Sequence, residues 1–337
     1  MKMLLAALCV IFAINANAKT VTNSDGKSVT IPDKIERVSP LIPAFAQIAA
    51  MLGQSDKIVT SPGQSEMFYT LFPNFKERVI IMRQANVESL LAAKTQVVFG
   101  PKGAFFNETQ QRELEAAGIA VVDISAMSTI EEIKRCVELI ANIFGGEAIE
   151  KAREFNAYFD RNVKLVLEGV KNAKKPTVLA LNYASGSYAT ISDRDIGAEY
   201  IRIAGGVNVA SGFIKDSAGM TAIINVEQIL TWNPQIIITN SSASRDQIIA
   251  DRALRSLSAV KNDKIYVVPT GAHLWSVRSA EGALQPLWLA KRLHPDLFKT
   301  LDLEKEVKSF YKRFYGYELS DAQIADILKG GSTTALR

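Results

Sequence analysis

Histidine and cysteine are almost missing from this 337-residue chain, with two of each. A structural metal cage needs three or four such ligands converging on one ion, so a cage built from histidine and cysteine is excluded. Charge of one sign is lacking too. The 39 Lys plus Arg stand against 35 Asp plus Glu, with no basic block of the kind that nucleic acid recruits. No segment reaches the ~18 uninterrupted apolar residues of a membrane-crossing helix. Catalytic signatures are missing as well: there is no G-x-S-x-G, no G-x-x-x-x-G-K-[ST], no H-E-x-x-H and no Ser–His–Asp spacing. A hydrolase therefore stands only as a minor alternative.

What is present is ordinary for folded protein: 48% hydrophobic and 22% charged residues, which excludes disorder. At ~150 residues per domain the length suits two globular units. The N-terminus reads as a cleaved leader, residues 1–18. Lys2 supplies its charge, Met3 to Ile14 its apolar stretch, and Ala16-Asn17-Ala18 a small-residue cleavage site. Cys9 lies inside that apolar stretch behind the bulky Leu8, so it reads as leader rather than as a lipid-anchored cysteine. Its removal leaves Cys136 alone, which rules out an internal disulfide. The mature chain is expected to be exported, to start at Lys19 and to carry no lipid anchor.

Short β-branched runs then alternate with helical patterns. Strands are expected at Lys57 to Thr60, Val79 to Met82, Val97 to Phe99, Ala120 to Ile124, Thr177 to Leu181, Ile236 to Thr239 and Ile265 to Val268. Helices are expected at Ala44 to Leu52, Val87 to Ala93, Asn107 to Ala117 and Ile130 to Phe144. This alternation predicts an α/β fold with mainly parallel sheets. Glu147 to Lys171 breaks the rhythm. Its apolar residues Ala152, Phe155, Phe159, Val163, Val166 and Val170 recur at gaps of three and four, so it reads as one helix of roughly 37 Å. Pro176 forces the exit. The expected architecture is two Rossmann-like lobes, 19–146 and 175–329, joined by one long rigid helix, 147–174, with a flexible tail at 330–337.

The two halves echo each other. Asn86-Val87-Glu88-Ser89-Leu90-Leu91 leads to Gln96-Val97-Val98, and Asn225-Val226-Glu227-Gln228-Ile229-Leu230 leads to Gln235-Ile236-Ile237. In both, Asn is placed to cap a short helix that feeds a buried strand.

These stretches carry a resemblance, together with Arg37-Val38-Ser39-Pro40, Leu52-Gly53, Ala204-Gly205-Gly206-Val207-Asn208, Asn233-Pro234, Leu287-Trp288-Leu289-Ala290-Lys291 and His294-Pro295. In order and spacing the chain resembles the helical-backbone (class III) periplasmic substrate-binding proteins of ABC importers for ferric siderophores, haem and cobalamin. The resemblance implies two lobes on one rigid helix, a monomer in the periplasm, and an inner-membrane ABC permease as partner. It implies docking on that permease through one surface glutamate per lobe, Glu88 and Glu227. The chain departs from the pattern at Pro40-Leu41-Ile42-Pro43, more apolar than the usual Ser/Thr-rich loop, and at Thr95-Gln96, where an acidic residue is usual.

Ligand candidates sit where α/β folds place ligands, at the C-terminal ends of strands. Arg83 follows one strand, and the resemblance assigns it to an anionic iron-binding centre. Lys102, Phe105 and Phe106 follow another within Gly100-Pro101-Lys102-Gly103, suited to covering a ligand, with one phenylalanine expected to pack under the next helix. Tyr183 and Tyr188, around the Ser185-Gly186 segment, offer phenol hydrogen bonds or a phenolate to ferric iron. Ser241 ends a strand and either lines the cleft or caps a helix. His273, Trp275 and Arg278 share a loop that the resemblance turns toward the cleft, and His273 is a candidate ligand to a metal only through a bound chelate. With so few histidines the solute is expected to bring its own coordination shell, so no resident cofactor is expected. A ferric siderophore is the first expectation, with haem, a corrinoid, a nickel chelate or an oxyanion such as molybdate as alternatives.

Overall fold

A computed structural model describes residues 18–331 except 126 and 215–219. Residues 1–17 of the expected leader and 332–337 of the expected tail lie outside the described residues. Gly330 and Gly331 of that tail are packed: a Cβ on Gly330 would fall 2.4 Å from Val267, and one on Gly331 2.6 Å from the Thr270 carbonyl.

The first lobe opens with an antiparallel hairpin of β1 (Ala18–Thr22) and β2 (Ser28–Pro32). Its parallel strands are β3 (Val38–Pro40), β4 (Thr60–Ser61), β5 (Ile80–Ile81), β6 (Val97–Gly100) and β7 (Ala120–Asp123), paired β3-β6-β7 and β4-β5. Strand β4 starts later than its β-branched run suggests, because Ser55–Lys57 closes into a 3₁₀ turn. Between the strands run α1 (Pro43–Met51), α2 (Glu66–Leu71), α3 (Phe75–Arg78), α4 (Val87–Ala92), α5 (Glu108–Ala116) and α6 (Ile130–Phe144).

Gly145 and Gly146, both at positive φ, turn α6 into the long α7 (Glu147–Val170). The second lobe has a parallel sheet of order β11-β8-β13-β14, with β8 (Thr177–Ala180), β11 (Val207–Asn208), β13 (Ile236–Thr239) and β14 (Ile265–Val267). Beside it stands an antiparallel sheet of β9 (Asn182–Ala184), β10 (Ser187–Ile191) and β12 (Thr221–Ile224). Its helices are α8 (Ile196–Ile203), α9 (Val226–Trp232), α10 (Ser242–Ala250), α11 (Ser258–Lys261), α12 (Gln285–Leu293), α13 (Leu303–Phe310) and α14 (Asp321–Leu328). A π-helical turn, Tyr311–Tyr315, continues α13.

Strand alternation sorts the core into layers. Val178 and Ala180 of β8, and Ile236 and Ile238 of β13, face one cluster that also holds Phe155 and Phe159 of α7. Leu179, Leu181 and Ile237 face a second cluster confined to the outer side of that lobe. The first lobe does the same: Val97 and Phe99 join the shared cluster, while Val98 packs outward with Leu41 and Leu114. The main parallel sheet of each lobe is therefore apolar on both faces, as parallel sheets require. The inner faces of both lobes fuse into one core around α7.

The internal repeat is visible in the backbone. Asn86 caps α4 through Ser89 N–H, and Asn225 caps α9 through Gln228 N–H, both at 2.8 Å. Eight residues past each Asn, Lys94 and Asn233 take the left-handed conformation that ends the helix. Gln96 then accepts from the backbone of Arg37 before β3, and Gln235 from that of Thr177 at the start of β8.

Candidate functional site

The strand ends of both lobes face each other across a seam. Ser65, in the loop after β4, caps α2 through Phe68 N–H and also donates to the carbonyls of Gly271 at 3.2 Å and Ala272 at 2.9 Å. Arg278 Nε donates to Met127 O at 2.9 Å, and Ile130 N–H at the start of α6 meets the Glu199 carboxylate of α8 at 2.7 Å. Gln47 of α1 reaches furthest, accepting from Ala280 N–H and donating to the Tyr315 hydroxyl.

Arg83 stands at the first-lobe edge. It is exposed and makes no hydrogen bond or ion pair among the described residues. With Phe105 it borders a hollow of about 180 Å³ that Leu41, Pro43, Pro62 and Met82 complete. Leu41, Ile42 and Pro43 of the apolar stretch thus line it. Lys102 is not there. It lines a separate hollow of about 570 Å³ on the lobe's flank, between the β1–β2 hairpin and β7, and pairs with Asp25 at 3.8 Å. Phe106 is the phenylalanine that packs inward, into the cluster with Leu41 and Val98.

In the second lobe Asn182 to Tyr188 is a hairpin rather than an open loop. Ser185 and Gly186 both take positive φ, the two-residue turn that suits the twist of its strands. Tyr183 and Tyr188 pair across it, ring centroids 5.0 Å apart. The Tyr188 hydroxyl donates to Asp251 at 2.8 Å, and burial with that carboxylate pushes its pKa up. This engages the phenol and disfavours a phenolate. Ser241 caps α10 through Ser244 N–H, the helix-capping alternative of the sequence reading.

The 271–278 loop returns to the seam. His273 Nδ1 accepts from Leu274 N–H, and burial pushes the imidazole down to about 4, so the ring is neutral at physiological pH. Trp275 is fully buried in the shared core. Arg278 pairs with Asp195 at 3.6 Å; burial raises the Asp195 carboxyl against the opposing pull of Gly197 N–H and Arg278. Of the three candidate cations, Lys102 and Arg278 are thus paired with carboxylates and Arg83 is not. Among the described residues no cluster of His, Cys, Asp and Glu could hold a bare metal ion.

Glu88 and Glu227 lie exposed in the first turns of α4 and α9, outside any ion pair among the described residues. Sequence reasoning missed Ser65 and Gln47, whose partners are more than 200 positions away, and Glu281, which accepts from the backbone N–H groups of Ala272 and His273. Among the described residues no helix is long and apolar enough to cross a membrane.

A family profile described as periplasmic binding protein matches residues 38–271. The molybdate-binding protein MolA of Haemophilus influenzae is 28% identical, over 94% of this chain and 96% of its own. Its molybdate-bound structure superposes with a TM-score of 0.77 at 26% identity, covering 90% of this chain and 99% of that one. A periplasmic solute-binding protein of Veillonella parvula superposes equally well, TM-score 0.77 at 26% identity, covering 93% and 97%. The vitamin B12-binding protein of Vibrio cholerae is 25% identical over 70% of this chain and 82% of its own.

Proposed function

Because the chain belongs to the periplasmic binding protein family, we propose that it captures a compact anion between its lobes and delivers it unchanged to an inner-membrane ABC importer. The solute is an oxyanion of the molybdate class. One observation carries this reading: the only unpaired guanidinium among the candidate cations, Arg83, stands over a hollow of about 180 Å³. That is roughly six liquid-water volumes, and below the ~300–1,000 Å³ that hold a drug-sized ligand. Its size suits a small solute, and Arg83 is the one cation that lines it. The likeness to a molybdate-binding relative over almost the whole chain supports it.

A ferric siderophore, the first expectation, is the second reading. It would need the Ser65 and Arg278 contacts across the seam to part. In either case the leader is removed, no lipid anchor is attached, the carrier is a monomer, and Glu88 and Glu227 meet cationic side chains of the permease.

Titration calorimetry with molybdate, tungstate, sulfate and a ferric catecholate chelate tests the solute. Molybdate should bind one per chain, and Arg83→Ala should weaken it about 10- to 100-fold, the size of a lost charge-assisted hydrogen bond. Saturable binding of the chelate with none of molybdate would replace this reading by the second.

A further inference from the structure

The carboxyl of Glu281 is fully buried and unaccounted for by the seam contacts described above. It lies in a 3₁₀ turn, Ala280–Leu284, on the far side of the 271–274 loop from Ser65. Its Oε2 accepts from His273 N–H at 2.6 Å, and its Oε1 from Ala272 N–H at 3.1 Å. The Tyr311 hydroxyl donates to the same Oε1. Gln47 caps the neighbouring Ala280 N–H. No lysine or arginine among the described residues pairs with it, so this is a hydrogen-bonded carboxyl rather than an ion pair.

Two further features are built around it. The π-helical turn, with its i→i+5 bonding, brings Tyr311 and Tyr315 to one side, so that one phenol meets Glu281 and the other Gln47. Gly271 has no room for a side chain, since a Cβ there would fall 1.9 Å from the Tyr311 hydroxyl and 2.6 Å from Glu281 Oε1. The loop backbone is thus pressed against the carboxyl on one face while its carbonyls meet Ser65 on the other.

We propose that Glu281 is a positioning residue for solute capture: it fixes the backbone of Ala272 and His273 so that the Gly271 and Ala272 carbonyls close against Ser65 of the opposite lobe. The assignment rests on the reading that the solute is held at the Arg83 hollow of the first lobe, whose lining includes Pro62, three residues before Ser65 of the seam. Because the carboxyl touches only the chain, it acts through the loop.

Site-resolved hydrogen exchange on the full mature chain tests it, with molybdate calorimetry in parallel. Glu281→Ala should lower protection at the Ala272 and His273 amides about 100-fold, with helix α6 unchanged. Glu281→Gln, which keeps one acceptor oxygen on the same stem, should restore one of the two amides. Molybdate affinity should fall at least 10-fold in Glu281→Ala and recover to within about 3-fold in Glu281→Gln. Should Glu281→Ala fail to fold, Glu281→Gln decides alone, with protection lost at one of the two amides and kept at the other. Unchanged protection there, or loss spread evenly through both lobes in every variant, overturns the assignment. A wild-type chain that ignores molybdate while Glu281→Ala still loses those two amides would refute the molybdate reading and support the positioning role.

Discussion

At the scale of single residues, Glu281 and His273 oppose each other. Burial pushes the Glu281 carboxyl up to about 7 from 4.5. The folded chain then keeps a proton that the unfolded chain releases, so its contribution to stability is full below pH 4.5 and is lost as pH rises to 7. Burial holds His273 near 4 against 6.5. There the unfolded chain binds the extra proton, so stability is lost as pH falls from 6.5 to 4. Between pH 4.5 and 6.5 the two slopes cancel. Glu281→Gln should uncover the histidine slope, with unfolding free energy relative to wild type falling by about 1.4 kcal/mol per pH unit toward acid across that window. Denaturant titrations of both proteins at three pH values measure this; parallel profiles would contradict it.

At the scale of elements, the repeat is more than a similarity of letters. Each short helix is capped by Asn, ended by a left-handed residue and followed by a Gln whose side chain ties the backbone at the entry to the neighbouring strand, Arg37 before β3 and Thr177 at the start of β8. Gln96→Ala and Gln235→Ala should each lower unfolding free energy by about 0.5–1.5 kcal/mol, because each removes the side-chain acceptor of exposed N–H groups at a strand entry. Urea melts would show it, and a loss in one lobe only would break the equivalence. These elements were legible because their signals are local: Asn, then apolar residues at helical spacing, then a β-branched run. The hairpin at Tyr183 and Tyr188 was also written locally, in a Ser-Gly pair between two alternating runs, but reads as a loop when the flanking runs are short. The site was less legible. Ser65 meets Gly271 from 206 positions away, Gln47 meets Ala280 from 233 and Tyr315 from 268. No periodicity spans such distances, so only folding brings these groups together. Arg83 was readable as a strand-end cation; that Lys102 and Arg278 are neutralised by Asp25 and Asp195 was not.

At the scale of the whole molecule, two exposed glutamates at matching places are held by one body. Exposed ion pairs within a chain stabilise little, so charge reversal should leave folding alone and act on association. Glu88→Lys with Glu227→Lys should abolish uptake into cells while molybdate affinity stays within about 2-fold. Uptake at the wild-type rate would remove these residues from the docking face. The core shared by both lobes bears on what the partner can sense. Phe155, Phe159, Trp275 and Trp288 belong to a single packed cluster that crosses α7, and close-packed interiors resist continuous bending. A carrier so braced offers its importer nearly the same silhouette whether loaded or empty. Discrimination between the two then falls to the few atoms at the cleft mouth, and an empty carrier competes for the same landing place as a full one.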